Sequence, residues 1–503
     1  MAISESLPLA LSDALPIWGI ASVAAAGLVL IVAAKISRAF AARAGTDLHV
    51  RGTRVATGTA LTTRSKRRIR TARAVLPHGP LRLGGIRIRA ADETKHFKLI
   101  GTTGSGKSTA IAALVRAALA RGDRAVIADP NGASLARFYD RYRGDVLLNP
   151  FEPRTVQWDP FAELRAVFDV ENLARSLVPE CDDTTGREWR GYARTLVGVL
   201  IRRLAESGTP NVAEFWRLLA VSDTAELRER VAGTAAQPFL DPDNARMFTS
   251  IRSVAVSALA ALPHVAASRG GRFSVRRWVA HGHGVLYMPY RADQIASLRA
   301  LVSVWMRLAI FETLSGVELA EPRAGWSHSM RTRHDPRVSR RIWFIVDELD
   351  AIGAIDGLTD ALTRLRKFGG CCVLGLQSAS QVSSAYGAGP ARSIIENCGN
   401  TLILRCSASE GGGTAAFASQ LIGEREVLRR QTVRSQDRGE HFARRRRRST
   451  QVARHRVTEA AVLPSQIEQL PDLRGYFKTA SSPCWTLIRL APEVRSWPSS
   501  TSR

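Results

Sequence analysis

Gly101-Thr102-Thr103-Gly104-Ser105-Gly106-Lys107-Ser108 fits the pattern G-x-x-x-x-G-K-[ST] in full. Each residue type in it has a task in holding a polyphosphate. The glycines permit backbone angles that turn successive N–H groups toward phosphate oxygens. Lys107 is spaced to reach the β- and γ-phosphates, and the Ser108 hydroxyl is the expected ligand for Mg²⁺. Thr109 continues the first turn of an alanine-rich helix, "STAIAALVRAALARG", whose positive end faces the same anion. The chemistry this implies is binding of ATP with Mg²⁺.

A second run supplies the carboxylates that such chemistry needs. "RRIWFIVDELD" (340–350) is continuously apolar up to Asp347 and Glu348, as expected of a central parallel strand buried on both faces. At its C-terminal tip Asp347 is placed to hold the metal through water, and Glu348 to polarise an attacking water. Lys107, Glu348 and two further residues form the candidate catalytic set. Gln377 ends "GCCVLGLQS" (370–378) and reads either as a γ-phosphate sensor or as a polar residue at a strand end. Arg405 lies in "NTLILRC" (400–406) and reads equally as an arginine finger for a neighbouring subunit or as a salt-bridged strand residue.

These residues need a framework, and the apolar runs provide one. "HFKLI" (96–100), "RAVIADP" (124–130, with Asp129 at its tip) and "GVLYMPY" (284–290) add strands to those above, with helical patterns between them. The expected fold class is α/β: a P-loop NTPase core with a mainly parallel sheet, where ligands sit beyond the carboxyl ends of the strands. The interval from Lys107 to Asp347 exceeds one βαβ crossover. Residues 162–266 fill it with helical spacing, as in "EWRGYARTLVGVLIRRLAE" (188–206), and predict an inserted all-α domain. The expected division is therefore an N-terminal segment (1–34), a basic linker (35–75), a first core part (76–161), the insertion (162–266), a second core part with a basic loop at 430–455 (267–490), and a tail (491–503).

Charge narrows the partners. Of 503 residues, 71 are Lys or Arg and 45 are Asp or Glu, a formal net charge of +26, which favours nucleic acid or an anionic membrane surface. The apolar share of 45% excludes a disordered chain. The six cysteines form no C-x-x-C pair and no zinc spacing; buried free thiols in a reducing compartment are expected. "IWGIASVAAAGLVLIVAA" (17–34) is uncharged and long enough to cross a bilayer as a transmembrane helix. Lys35, Arg38, Arg43 and the basic stretch "TRSKRRIR" (63–70) follow it, so the positive-inside rule puts the bulk of the chain in the cytoplasm, with 63–70 facing anionic headgroups. The run Arg444–Arg448 reads first as a solvated loop, with non-specific phosphate binding as its second use.

In order, the chain presents the N-terminal apolar helix, "GTTGSGKS", "IADPNG", "NPFEPRTVQWDPF" (149–161), the helical insertion, "FIVDELDAIG", "GLQS" and "LPSQIEQLPDLRGY" (463–476). It resembles the coupling proteins of conjugative type IV secretion systems, the TraD/TraG kind, over about residues 80–490. The resemblance implies a RecA-like, homo-hexameric ATPase in the bacterial inner membrane. Its partners would be relaxase-bound DNA, expected single-stranded, and the inner-membrane components of the secretion channel. It also implies that Lys107 and Ser108 belong to the family's P-loop, Asp347 and Glu348 to its acidic pair, and Gln377 to its sensor strand. Members commonly carry two N-terminal membrane helices, and only one is legible here. The alternatives are an FtsK/HerA-like pump for double-stranded DNA, a receptor that binds nucleotide without turnover, and export of protein alone.

Overall fold

The computed structural model describes residues 47–57, 80–180, 184–208, 210–316, 341–436 and 448–492. The expected membrane segment 17–34, the basic stretch 63–70 and the run 444–447 lie outside the described residues. No helix among the described residues is long and apolar enough to cross a membrane. The described residues form two compact units, one of those between 54 and 422 with 462–492, the other of 47–53 with those between 423 and 461.

The larger unit is built on a ten-stranded sheet. Its strands are β1 (Val55–Thr57), β2 (Phe97–Ile100), β3 (Arg124–Pro130), β4 (Val146–Leu147), β5 (Val285–Tyr290), β6 (Ile342–Val346), β7 (Gly370–Leu376), β8 (Asn400–Ile403), β9 (Arg474–Lys478) and β10 (Trp485–Arg489). They lie in the order β1-β10-β9-β8-β2-β7-β6-β3-β5-β4. From β8 to β4 every neighbouring pair is parallel. Antiparallel β9 and β10 extend the sheet beyond β8. Every residue of β2, β5, β6 and β7 is buried, which is why β5, β6 and β7 read as unbroken apolar stretches and not as alternating ones. Helix α1 (Lys107–Ala120) follows β2 and buries Ala110, Ile111, Leu114, Val115 and Ala118 in the core. It ends at Arg121, with Gly122 at φ +78° as the left-handed stop. Cys371, Cys372, Cys398 and Cys406 are buried free thiols.

Between β4 and β5 the chain is helical from α2 (Val167–Leu177) through α3 (Thr184–Glu206) and onward to a helix at Leu262–Ala267. The two ends of this stretch are tied together by a short parallel ladder of Gln157–Trp158 with Arg272–Phe273. Buried Glu163 accepts hydrogen bonds from Trp158 Nε1 (3.0 Å), Ser274 Oγ (3.0 Å) and the backbone N–H groups of Val275 (2.7 Å) and Arg276 (3.1 Å). A buried carboxylate needs such partners, and here they fix where the helical stretch leaves and rejoins the sheet. These helices share one compact unit with the sheet.

The smaller unit is a three-stranded antiparallel sheet of Leu48–Gly52, Glu424–Gln436 and Arg448–Ala460. Composition places these residues in a basic linker and a basic loop. Where described, they are strands. Their β pattern is masked by arginines that find carboxylates across the ladder: Arg429 meets Asp47 and Glu459, each at 2.8 Å, and Arg51 and Arg456 both pair with Glu426. Paired charges of this kind support a strand that composition alone argues against.

Candidate nucleotide-binding site

The loop from Gly101 to Gly106 joins β2 to α1 at the carboxyl end of the parallel sheet. Gly104 (φ +78°) and Gly106 (φ +116°) occupy left-handed backbone that other residues adopt only under strain. The loop is held from below. Gly101 N–H donates to Leu376 O at the end of β7 (3.2 Å), and Thr102 N–H to Arg405 O (2.8 Å). Ser105 Oγ donates to Thr102 O (2.6 Å). Thr103 and Gly104 are exposed at the tip, and Thr109 is half-buried in the first turn of α1.

Lys107 is 6% exposed, and its ammonium donates to the carbonyls of Gly101 and Thr102 at the loop's mouth. Burial pulls its pKa below the ordinary lysine range, opposed by Asp347 and Glu348. Asp347 stands one residue past β6, and its Oδ2 accepts from Ser108 Oγ at 2.7 Å. Burial raises the Asp347 pKa, opposed by the Ser108 hydrogen bond and by Lys107. Glu348 is raised by burial and then by its neighbours Asp347 and Asp350, and Gln377 Nε2 donates to its Oε1 at 2.7 Å. Two acids that bind protons more tightly than usual, one of them against a serine hydroxyl, make a site short of positive charge. Ser108 and Asp347 are the two side chains suited to a hard cation, and among the described residues no cluster of three acidic, His or Cys ligands exists. That donor set fits Mg²⁺, which keeps its waters and borrows oxygens from a bound phosphate.

Arg405 lies just past β8, and its guanidinium pairs with Asp472 at 2.8 Å while its carbonyl holds Thr102. Three contributors have no role legible in the sequence. Leu473, at φ +62°, donates its N–H to Ser105 O (3.0 Å) and accepts from Leu490 N–H (2.7 Å). A Cβ on Gly106 would come 3.0 Å from its side chain. The stretch "LPSQIEQLPDLRGY" thus backs the phosphate loop, and its place in the family resemblance is the one signal that points to it. Asp129, at the tip of β3, is 2% exposed and accepts the N–H groups of Ser134 (2.9 Å) and Leu135 (2.7 Å). Burial raises its pKa to about 6, opposed by those hydrogen bonds. Tyr290, the last residue of β5, has a buried hydroxyl without a hydrogen-bond partner.

Fold and loop together define an α/β protein of the P-loop NTPase kind. Residues 80–490 match the family described as the type IV secretion-system coupling protein DNA-binding domain, and the chain belongs to that family. It is 28% identical over 403 residues to the coupling protein TraD of Escherichia coli K12, covering 79% of this chain and 52% of TraD. The chain spans about half the length of the curated relatives it matches. Among solved structures, the plasmid coupling protein TrwB in complex with ADP and Mg²⁺ is 30% identical, with a TM-score of 0.72 over 90% of this chain and 95% of that one. TrwB in complex with the non-hydrolysable ATP analogue ADPNP gives the same identity and TM-score over 90% and 96%.

Proposed function

We propose that the chain is a membrane-anchored, ATP-hydrolysing DNA translocase that acts as a conjugative coupling protein, delivering relaxase-bound DNA to a type IV secretion channel. The observation that carries this is the 2.7 Å bond from Ser108 to Asp347, two residues 239 positions apart. It joins a complete phosphate loop to an acidic strand tip inside a fold that TrwB shares. TrwB binds ADP with Mg²⁺, and the same chemistry suits the residues here. Bound Mg²⁺ would neutralise the β- and γ-phosphates of ATP.

The chain's own groups then divide the work. The loop's N–H groups and Lys107 bind the phosphates, with Lys107 turning from its carbonyls toward the added charge. Ser108 and Asp347 hold the cation. Glu348 takes the proton of the attacking water, and Gln377 keeps that carboxylate in place. An oriented base of this sort contributes about 10²- to 10⁴-fold. Arg405 serves the nucleotide of a neighbouring subunit in a homo-hexamer once it leaves Asp472. The helix at 17–34 anchors the ring in the inner membrane, and the all-α stretch 162–266 is an insertion into a RecA-like core.

Steady-state ATP turnover with and without single- and double-stranded DNA tests this reading. Stimulation by single strands, absent in Lys107→Ala, is expected. Stimulation by duplex alone would favour an FtsK/HerA-like pump, and ATP binding without turnover would favour a receptor.

A further inference from the structure

At the sheet edge formed by β4, the surface differs in kind from the nucleotide site. Here the stretch 137–154 leaves large aromatic residues uncovered: Tyr139 is 36% exposed and Tyr142 is 81% exposed. Each carries an arginine against its ring. Arg154 lies over Tyr139 with 5.6 Å from its guanidinium carbon to the ring centroid, and Arg141 lies over Tyr142 at 5.9 Å. Neither arginine has a carboxylate partner among the described residues, whereas nearby Arg143 is bound to Asp145 and Arg291 to Asp293. Exposed Tyr142 is held by its own turn, since its N–H donates to Asp140 Oδ1 (2.9 Å). The ring is therefore presented on a fixed backbone.

Beside Tyr139 lies a cavity of about 410 Å³, lined among others by Asn131, Glu152, Arg154, Tyr290 and Arg291. Tyr290 is 4% exposed, and its hydroxyl has no partner. The volume exceeds that of a single planar base, and the walls offer both an aromatic face and amide, carboxylate and hydroxyl groups.

Aromatic faces with unpaired arginines are the means by which proteins hold unpaired nucleic acid without regard to sequence, because every base has a π-face and every linkage a charge. A second copy of this strongly basic chain would bring like charge to the same arginines. We propose that this edge is a track for single-stranded nucleic acid, in which Tyr139 and Tyr142 stack bases, Arg141 and Arg154 meet the backbone phosphates, and the cavity receives one base. The proposal rests on the DNA-handling reading above and locates part of that interaction at the β4 edge.

The test is equilibrium binding of a fluorescent oligothymidylate across a salt series, with basal ATP turnover and sedimentation measured on the same samples. Tyr142→Ala is expected to weaken binding by about 5- to 100-fold, as removal of one stacking platform does, with the slope of log affinity against log salt unchanged. Tyr142→Trp is expected to retain or improve binding. The double variant Arg141→Ala with Arg154→Ala is expected to flatten the salt slope by about 0.7 for each phosphate that is no longer neutralised. Basal turnover stays at the wild-type level in all of them. If Tyr142→Ala and Tyr139→Ala bind as wild type does, the track is wrong while the motor stands. A shift in sedimentation with unchanged DNA binding would make the edge an interface between copies and overturn the proposal. If the wild type binds no oligonucleotide, the DNA-handling reading falls and the track with it.

Discussion

The nucleotide site and the β4 edge belong to one sheet but follow opposite rules. At the site, charges are buried or half-buried and several partners come from elsewhere in the chain: Ser108 meets Asp347, Gln377 meets Glu348, and Leu473 supports Ser105. At the edge, tyrosines and arginines are exposed and their partners are local. Burial makes the first region sensitive to single atoms, because each misplaced charge loses its solvent and its partner together. Exposure makes the second tolerant, with its effect read in ligand affinity and not in folding.

Substitutions should separate the two regions in order of size. Lys107→Ala should lower ATP turnover by about 10²- to 10³-fold, the usual loss for a preorganised charge at the transition state, with DNA affinity measured without nucleotide unchanged. Equal losses in both assays would mean that the regions are not distinct.

Asp129 gives a pH effect. Its folded pKa of about 6 lies above its unfolded value of 3.8, so its contribution to stability is full below pH 4 and declines as pH rises through 6. The amplitude is about 3 kcal/mol. Denaturant midpoints from pH 4 to 7 should therefore change less in Asp129→Asn than in wild type. Parallel curves would show that burial of Asp129 carries no such cost.

Gly106→Ala adds a Cβ at φ +116°, 3.0 Å from Leu473 Cδ2. Strain of about 1–3 kcal/mol is expected, read as a loss of nucleotide affinity that the pairing with Leu473→Ala partly restores. Smallest is Asp472→Ala. Its bond to Arg405 joins groups 37% and 59% exposed, so thermal stability should change by less than about 1 kcal/mol. If Arg405 reaches a neighbour's nucleotide, Arg405→Ala should still lower turnover at concentrations where the chain assembles.

Much of the site is legible in the sequence because its parts are contiguous. The phosphate loop occupies residues 101–108, and Asp347 and Glu348 announce themselves by ending the unbroken apolar run of β6. The strands around them read correctly for the same reason, being buried on both faces. Residues whose role depends on a remote partner are opaque. Leu473 is an ordinary leucine until its N–H is found on Ser105, and nothing in the sequence pairs Arg405 with Asp472. The smaller sheet escapes notice for a related reason. Its first strand pairs with residues some 375 positions away, as Arg51 does with Glu426, and its arginines hide the alternation that marks a strand.

Everything proposed for the motor depends on ATP being hydrolysed where the phosphate loop meets the β6 tip. The decisive experiment is binding of Mg²⁺ and ATP by Glu348→Gln, measured beside single-turnover hydrolysis in the same preparation. Affinity close to wild type is expected, with a hydrolysis rate lower by about 10²- to 10⁴-fold. Hydrolysis at the wild-type rate would refute the assignment, since Glu348 is the one carboxylate given the proton of the attacking water.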